Sequence, residues 1–180
     1  NVNQLVLEGL FGRCSQVTST NKLMKKGYVA KLKVKVLLLK HEEKLFEGYQ
    51  DEIEYLVEHG GRNNYIKNLA IDLKGNTLIL FNYVDKHGIP LFNLINSNTE
   101  RPVYLVHGGV DTDDREDIRH LTETSDNAII VASYGTFSTG INIKNLHNVI
   151  FASPSKSRIR NLQSLSLIHI SEPTRPSSIS

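Results

Sequence analysis

Short apolar runs alternate with amphipathic segments along most of the chain. Four runs have the length and the β-branched or leucine-rich composition of strands buried in a sheet, namely residues 77–81, 103–106, 128–132 and 147–151. Apolar residues at helical spacing predict helices at residues 50–59, 63–73, 87–96 and 111–124. Strands that alternate with helices at this spacing require parallel pairing with right-handed crossovers, so the pattern predicts a doubly wound α/β fold.

Local signals set the expected ends of these helices. Gly60 and Gly61 are expected to separate the first two helices. Pro90 is compatible with the third helix only if it lies in the first turn. The second helix should bury one apolar stripe, which consists of Ile66, Leu69, Ala70 and Leu73.

A further strand is predicted at residues 28–40, where apolar and basic residues alternate. Lys31, Lys33 and Lys35 would share one face of that strand. Such a face is either a solvated sheet edge or a track for nucleic acid, and the solvated edge is the more common of the two. Residues 41–49 are charged and are typical of a linker.

Composition sets outer limits on function. The chain has 180 residues, 39% of them hydrophobic, a net charge of +2 and a pI near 8.6, so the global charge neither favours nor opposes nucleic-acid binding. Cys14 is the single cysteine, which excludes an internal disulfide and a cysteine-rich zinc site. No apolar run approaches the roughly 20 residues needed to span a bilayer, and the start lacks the basic region of a signal peptide. An intracellular protein without membrane association is therefore expected.

Polar residues follow the buried strand at residues 128–132, and they include Ser133, Tyr134, Thr136, Ser138, Thr139, Gly140 and Asn142. Ligands of open α/β sheets collect beyond the carboxyl ends of parallel strands. Hydroxyl groups and the backbone near a glycine suit phosphate, although a Ser/Thr-rich turn between two core strands would have the same composition.

The order of residues in this region resembles motif V of superfamily 2 helicases, in the sequence VASYGTFSTGINIKNLHNVIF. Within that superfamily it is most similar to the phage UvsW-type recombination and repair DNA helicases. Weaker similarities are LEGLFG near the start, LILFNYVDKHG, which resembles motif IV, and YLVHGGVDTDDRE. The resemblance covers residues 5–164 and implies the second RecA-like domain of a helicase.

The resemblance also implies a division of the chain. Residues 1–27 would be the end of a first RecA-like domain and its connector, and residues 28–164 would be the second RecA-like domain, truncated before motif VI. Residues 165–180 begin with LSLIHISEPTR, which resembles read-through of a transposase-type sequencing adapter, so they are expected to be a non-native tail. The alternative is a genuine disordered terminus rich in Ser and Pro.

Site residues follow from the same resemblance. Gly140 and Asn142 would face the nucleotide, although Asn142 stands where the family often has an acidic residue near the ribose. Ser133 would contact a backbone phosphate, and the same rim would be lined by Asn82, Lys86, His107, Gly108 and Thr139. His107 could instead be a packed or capping residue. No catalytic residue and no metal site is expected within this chain.

The implied function is that of a piece of an ATP-dependent DNA helicase or translocase in recombination, repair or branch migration. ATP and Mg²⁺ would bind mainly to the first RecA-like domain in cis, because the sequence contains no GxxxxGK[ST] loop. The partner would be single-stranded or branched DNA, in the cytoplasm of a phage-infected host cell, and the chain alone would be inactive. The alternative is a non-catalytic nucleic-acid-binding or interaction module with a RecA-like fold.

Overall fold

A computed structural model describes residues 9, 22, 33–40, 44–109, 120, 124–138 and 145–153. The chain divides into two units, Asn1–Lys33 and Val34–Ser180, and the elements below belong to the second. In chain order they are α1 (Tyr49–Glu58), α2 (Gly60–Asp72), β1 (Thr77–Phe81), a π-helix (Val84–Gly88), α3 (Ile89–Asn96), β2 (Val103–Val106), β3 (Ile129–Ser133), α4 (Tyr134–Ser138) and β4 (Asn148–Phe151).

The strands form a parallel sheet in the order β2-β3-β1-β4. Thr77 in β1 is in register with Ile129 in β3 on one side and with Asn148 in β4 on the other. β1 and β3 are buried along their whole length, as expected for central strands covered on both faces, whereas β2 and β4 are only partly buried. The predicted doubly wound parallel sheet is confirmed.

Alternation along β1 divides the core between the two faces of the sheet. Ile79 and Phe81 face the side covered by α2 and α3, where they pack with Ile66, Ala70, Leu91, Ile95, Ile129, Val131, Ile150 and Ala152. Leu78 and Leu80 face the other side and pack with Val106, Ile130, Ala132, Tyr134 and Leu146. Leu69 and Leu73 pack against the first cluster, so the predicted stripe on α2 is confirmed.

Two glycines are required by close approach. Gly75 has φ +83° in the turn before β1, and a Cβ there would lie 2.7 Å from the ring of His147. A Cβ at Gly88 would lie 2.4 Å from the Phe81 ring. The end of the π-helix can therefore rest directly on β1 only because residue 88 has no side chain.

The amino ends of the strands are held by Asn76, which is fully buried. Its Nδ2 donates to the carbonyls of Ser125, at 2.6 Å, and Asn145, at 2.7 Å, and its Oδ1 accepts from the Ala128 N–H at 2.8 Å. One side chain thus connects the segments that lead into β1, β3 and β4.

Arg101 holds the same end of the sheet. Its Nη1 donates to the carbonyls of Ala70, Ile71 and Leu73 at 2.8–3.1 Å, which are orphan acceptors at the C-terminus of α2. Its Nη2 donates to Gly75 O at 2.9 Å and its Nε to Asn127 O at 3.1 Å. Arg101 therefore ties the end of α2 to the starts of β1 and β3.

The boundary between the first two helices differs from the prediction. Gly60 and Gly61 form the first turn of α2, and the break falls at His59, with φ −65° and ψ 108°. The His59 Nδ1 accepts the N–H of Arg62 at 3.1 Å, so the imidazole supplies the N-cap. The glycines were expected to end α1, but the histidine already starts a new helix one residue earlier. Pro90 lies in the first turn of α3, as predicted.

The predicted strand at residues 28–40 is wrong where the structure describes it. Residues 33–40 form no regular element, and Val34, Val36 and Leu38 are exposed. Alternation alone cannot make a strand, because its backbone also needs a neighbouring strand for its hydrogen bonds. Lys31 lies outside the described residues. The predicted helix at residues 111–124 is described only at His120 and Thr124, which are both helical.

Candidate functional site

The carboxyl ends of the four parallel strands form one edge of the sheet, which we call the carboxyl edge. Asn82 follows β1, His107 follows β2 and Ser133 ends β3. Because the strand order is β2-β3-β1-β4, these three residues lie on three adjacent strand ends. The topology therefore brings them to the same edge, as the sequence predicts, while their function stays a prediction.

Lys86 lies in the π-helix that follows β1, next to helix α1. Its Nζ forms an exposed ion pair with the Glu54 carboxylate, and this hydrogen bond and charge raise the pKa of Lys86. Glu58 contributes in the same direction. The cation that was expected to contact phosphate is thus already held by an acidic side chain of α1.

His107 and Gly108 form a tight turn after β2. The Nδ1 of His107 accepts the N–H of Gly109 at 3.1 Å, so the imidazole caps its own turn. His107 is half-buried, whereas Gly108 is exposed. The capping role that the sequence left open for His107 is therefore present in the structure.

Ser133 caps the short helix α4. Its Oγ accepts the N–H of Thr136 at 3.2 Å and lies 2.8 Å from Thr136 Oγ1. The sequence left open a Ser/Thr-rich turn after β3, but the first residues of this segment, Tyr134–Ser138, are helical because Ser133 supplies this N-cap. The Ser133 side chain is buried, so a phosphate would have to compete with the cap for its hydroxyl. Thr139, Gly140 and Asn142 lie outside the described residues, and their roles stay predictions.

A buried polar network lies beside the carboxyl edge and was not predicted from the sequence. Ser153, immediately beyond β4, has its Oγ 3.1 Å from the N–H of Asn82 and 3.0 Å from Nδ1 of His87. The Nε2 of His87 lies 3.2 Å from Oδ1 of Asn63, whose Nδ2 donates to Val57 O at 2.8 Å. We call Ser153, His87 and Asn63 the Ser153 relay. All three are buried, and His87 is fully so.

The direction of each hydrogen bond in the Ser153 relay can be deduced. The Val57 carbonyl can only accept, so it fixes Nδ2 of Asn63 as donor and leaves Oδ1 to accept from His87. The neutral imidazole is therefore protonated at Nε2, and its Nδ1 accepts from the hydroxyl of Ser153. That hydroxyl oxygen accepts from the Asn82 N–H in turn. Every polar atom in this series of hydrogen bonds therefore has a donor or an acceptor as its partner, as its chemistry requires.

Burial keeps this imidazole neutral. Desolvation, and to a smaller extent the positive charge of Arg62, lower the pKa of His87 to about 4. A proton on Nδ1 would remove the acceptor of the Ser153 hydroxyl. The relay is therefore intact only with the neutral ring.

Two further side chains, those of Arg62 and Tyr134, form hydrogen bonds to the segment that follows β4. Arg62 of α2 donates to the carbonyl of Ala152 and, at 3.4 Å, to that of Leu56, and burial lowers its pKa. Tyr134 donates to the Ser153 carbonyl at 3.4 Å and stacks on Phe151, and burial raises its pKa to about 12. The segment beyond β4 is therefore bonded to residues that follow β1 and β3 and to α2.

Within the described residues, no group of three or more His, Cys, Asp or Glu side chains could hold a metal ion. Nor does any described helix have the length and apolar character that a membrane span requires.

Comparison with known proteins assigns this chain to a family. The profile of the helicase conserved C-terminal domain matches residues 61–170, which is more than half of the chain and includes all four strands. The chain belongs to that helicase C-terminal domain family. The ATP-dependent DNA helicase uvsW of Enterobacteria phage T4 is 39% identical over 173 residues, which is 92% of this chain and 34% of the phage protein.

A solved structure agrees with the family assignment. The crystal structure of T4 UvsW matches with a TM-score of 0.58 and 42% identity, over 66% of this chain and 24% of that chain. The resemblance to UvsW-type helicases expected from the sequence, and the RecA-like C-terminal helicase fold, are therefore confirmed. This chain spans about a third of the length of the phage relative.

Proposed function

We propose that this chain serves as the second RecA-like domain of an ATP-dependent DNA helicase or translocase that acts in recombination, repair or branch migration. The observation that supports this most is the alignment of Asn82, His107 and Ser133 on three adjacent strand ends of a helicase-family sheet. The similarity to a phage protein described as an ATP-dependent DNA helicase supports the DNA substrate and the use of ATP.

The carboxyl edge would hold the sugar–phosphate backbone of single-stranded or branched DNA. The exposed backbone at Gly108, the ammonium group of Lys86 and the polar groups of Asn82, Ser133 and Thr139 suit phosphate rather than base edges. Such contacts position a strand without reading its sequence. We therefore expect binding with little sequence preference and with marked salt dependence.

ATP and Mg²⁺ would bind mainly to a first RecA-like domain in cis, with Gly140 and Asn142 of this chain facing the nucleotide. The two domains would close when ATP binds and open after its hydrolysis, and the contacts with the strand would differ between the two states. The chain alone should then show no DNA-stimulated ATPase activity. DNA-stimulated ATP turnover by the pure chain would contradict this division of roles.

Lys86 tests the nucleic-acid contact directly. Lys86→Ala should weaken binding of a fluorescein-labelled single-stranded DNA about fivefold at 0.1 M salt, and should reduce the slope of log K against log salt by about 0.7, the value for one phosphate on a single strand. Fluorescence anisotropy titrations at several salt concentrations measure both quantities.

Lys74→Ala is the matched control. Lys74 is an exposed lysine just before β1, at the opposite edge of the sheet, so its removal changes the net charge equally. If Lys74→Ala weakens binding as much as Lys86→Ala, the carboxyl edge is not the contact. Binding that survives Lys86→Ala but is lost when Lys31, Lys33 and Lys35 are neutralised would assign the contact to the basic segment instead.

A further inference from the structure

The Ser153 relay lies where the segments that follow β1, β3 and β4 meet at the carboxyl edge. Ser153 is bonded through its hydroxyl to Asn82 after β1 and through its carbonyl to Tyr134 after β3, and it directly follows β4 and Ala152. The relay then passes through His87 in the π-helix to Asn63 in α2. Among these contacts within the described residues, Ser153 is thus the residue that is bonded to the segments after both β1 and β3.

The relay fixes the backbone that carries two of the proposed DNA contacts. Asn82 donates its N–H to Ser153, and His87 directly follows Lys86 in the π-helix. That π-helix also rests on the Phe81 ring through Gly88, so it has little room to adjust. Insertions of this helical type frequently occur at functional sites.

We propose that Ser153, His87 and Asn63 are positioning residues, which hold the Asn82–Lys86 segment in the geometry that contacts the DNA backbone. This inference rests on the proposed function, because it assigns a role in that same contact. The three residues touch no DNA themselves. Their burial means that they act through the backbone of Asn82 and through the placement of the π-helix.

The core of the relay is satisfied by protein groups alone. Ser153 Oγ, both ring nitrogens of His87 and the amide of Asn63 each have a partner. A polar network that is fully satisfied specifies one arrangement of its surroundings, because any shift leaves a buried group unpaired. An apolar cluster of the same size would tolerate small sliding of the π-helix on α2.

Ser153→Ala is the first test, because it removes one buried hydroxyl, and with it the hydrogen bonds to the Asn82 N–H and to His87, while the hydrogen bonds of the Ser153 backbone to Leu80 and Tyr134 stay in place. We expect single-stranded DNA affinity to fall about fivefold, the equivalent of one hydrogen bond, at a salt slope equal to that of the unaltered chain. The slope should stay because no phosphate contact is removed. Asn63→Ala, which alters the relay from its far end in α2, should give the same pattern.

Arg101→Gln is the control for general destabilisation. Arg101 makes its hydrogen bonds at the opposite end of the sheet, so its replacement should lower the urea midpoint without altering DNA affinity under conditions where the protein is folded. An affinity loss in Arg101→Gln equal to that in Ser153→Ala would show that the relay acts only through stability, and would overturn the proposal.

Imidazole nitrogen NMR of the unaltered chain supplies a readout that does not depend on DNA. The relay requires His87 to be protonated at Nε2 and not at Nδ1. An Nδ1–H tautomer, or unchanged affinity in both Ser153→Ala and Asn63→Ala while the unaltered chain binds DNA, would overturn the relay and leave the proposed function standing. Failure of the unaltered chain to bind DNA, with the Nε2–H tautomer present, would overturn the proposed function and the positioning role together.

Discussion

Acidification should destabilise this domain through His87. The folded pKa of about 4 lies below the ordinary value of 6.5, so the unfolded chain takes up a proton at a higher pH than the folded chain does. The neutral ring therefore stabilises the folded state fully above pH 6.5, and this contribution is lost as the pH falls towards 4. A difference of about 2.5 pKa units corresponds to about 3 kcal/mol, of which about 2 kcal/mol is lost between pH 7.5 and pH 5.

Urea unfolding followed by circular dichroism at about pH 7.5, 6 and 5 measures this loss. Because carboxylates also titrate near the lower end, the informative quantity is the difference between the unaltered chain and His87→Gln, which cannot take up a proton there. We expect the free energy of unfolding to fall by about 2 kcal/mol more in the unaltered chain than in His87→Gln. His107→Gln, which removes a histidine from the exposed turn after β2, serves as the control and should retain the full pH dependence.

Equal pH dependence in the unaltered chain and in His87→Gln would refute this reasoning. It would mean that the ring is solvated, or that protonation moves the Ser153 hydroxyl to a new acceptor at no cost. In either case the stability of the folded domain would not depend on the neutral ring. A pH dependence that disappears in His107→Gln instead would assign the effect to the turn after β2.

Three other substitutions test the contacts that shape the two edges of the sheet. Asn76→Ala should lower the free energy of unfolding by about 3 kcal/mol, because it removes the acceptor of the buried Ala128 N–H and a donor to the half-buried carbonyls of Ser125 and Asn145; urea denaturation measures it. Gly88→Ala should cost about 1–3 kcal/mol in the same assay, because its Cβ would meet the Phe81 ring at 2.4 Å. Glu54→Gln should raise single-stranded DNA affinity about twofold, measured by anisotropy, because it frees Lys86.

The sheet could be predicted from the sequence because its signals are local. Each strand is a short apolar run, and burial on both faces makes the pattern continuous in β1 and β3. The start of α2 was predicted at residue 63 but lies at Gly60, because a histidine N-cap is rarer than a glycine stop, and nothing local shows that the His59 ring turns back to the Arg62 N–H. The strand predicted at residues 28–40 is absent from the part that the structure describes, residues 33–40, because a strand needs a partner, which alternation does not supply.

The candidate site was only half predictable, for a related reason. Asn82, His107 and Ser133 could be placed together because parallel topology alone carries strand ends to one edge. The Ser153 relay could not, because His87 lies 66 residues from Ser153 and 24 residues from Asn63, and no spacing rule connects them. His87 was expected only as the start of a helix, whereas the residues around it form a π-helix whose geometry turns the ring inward.

The Lys86–Glu54 ion pair allows the affinity for DNA and the salt dependence of that affinity to be tested separately. The salt slope counts counterions released from the DNA, so it depends on how many phosphates are neutralised and not on what the lysine contacted before. The affinity also includes the loss of the Glu54 contact, which binding must break. Glu54→Gln should therefore raise the affinity at an unchanged slope, whereas Lys86→Ala should lower both. If Glu54→Gln changes the slope instead, then Glu54 repels a second phosphate directly, and Lys86 is not the group it controls.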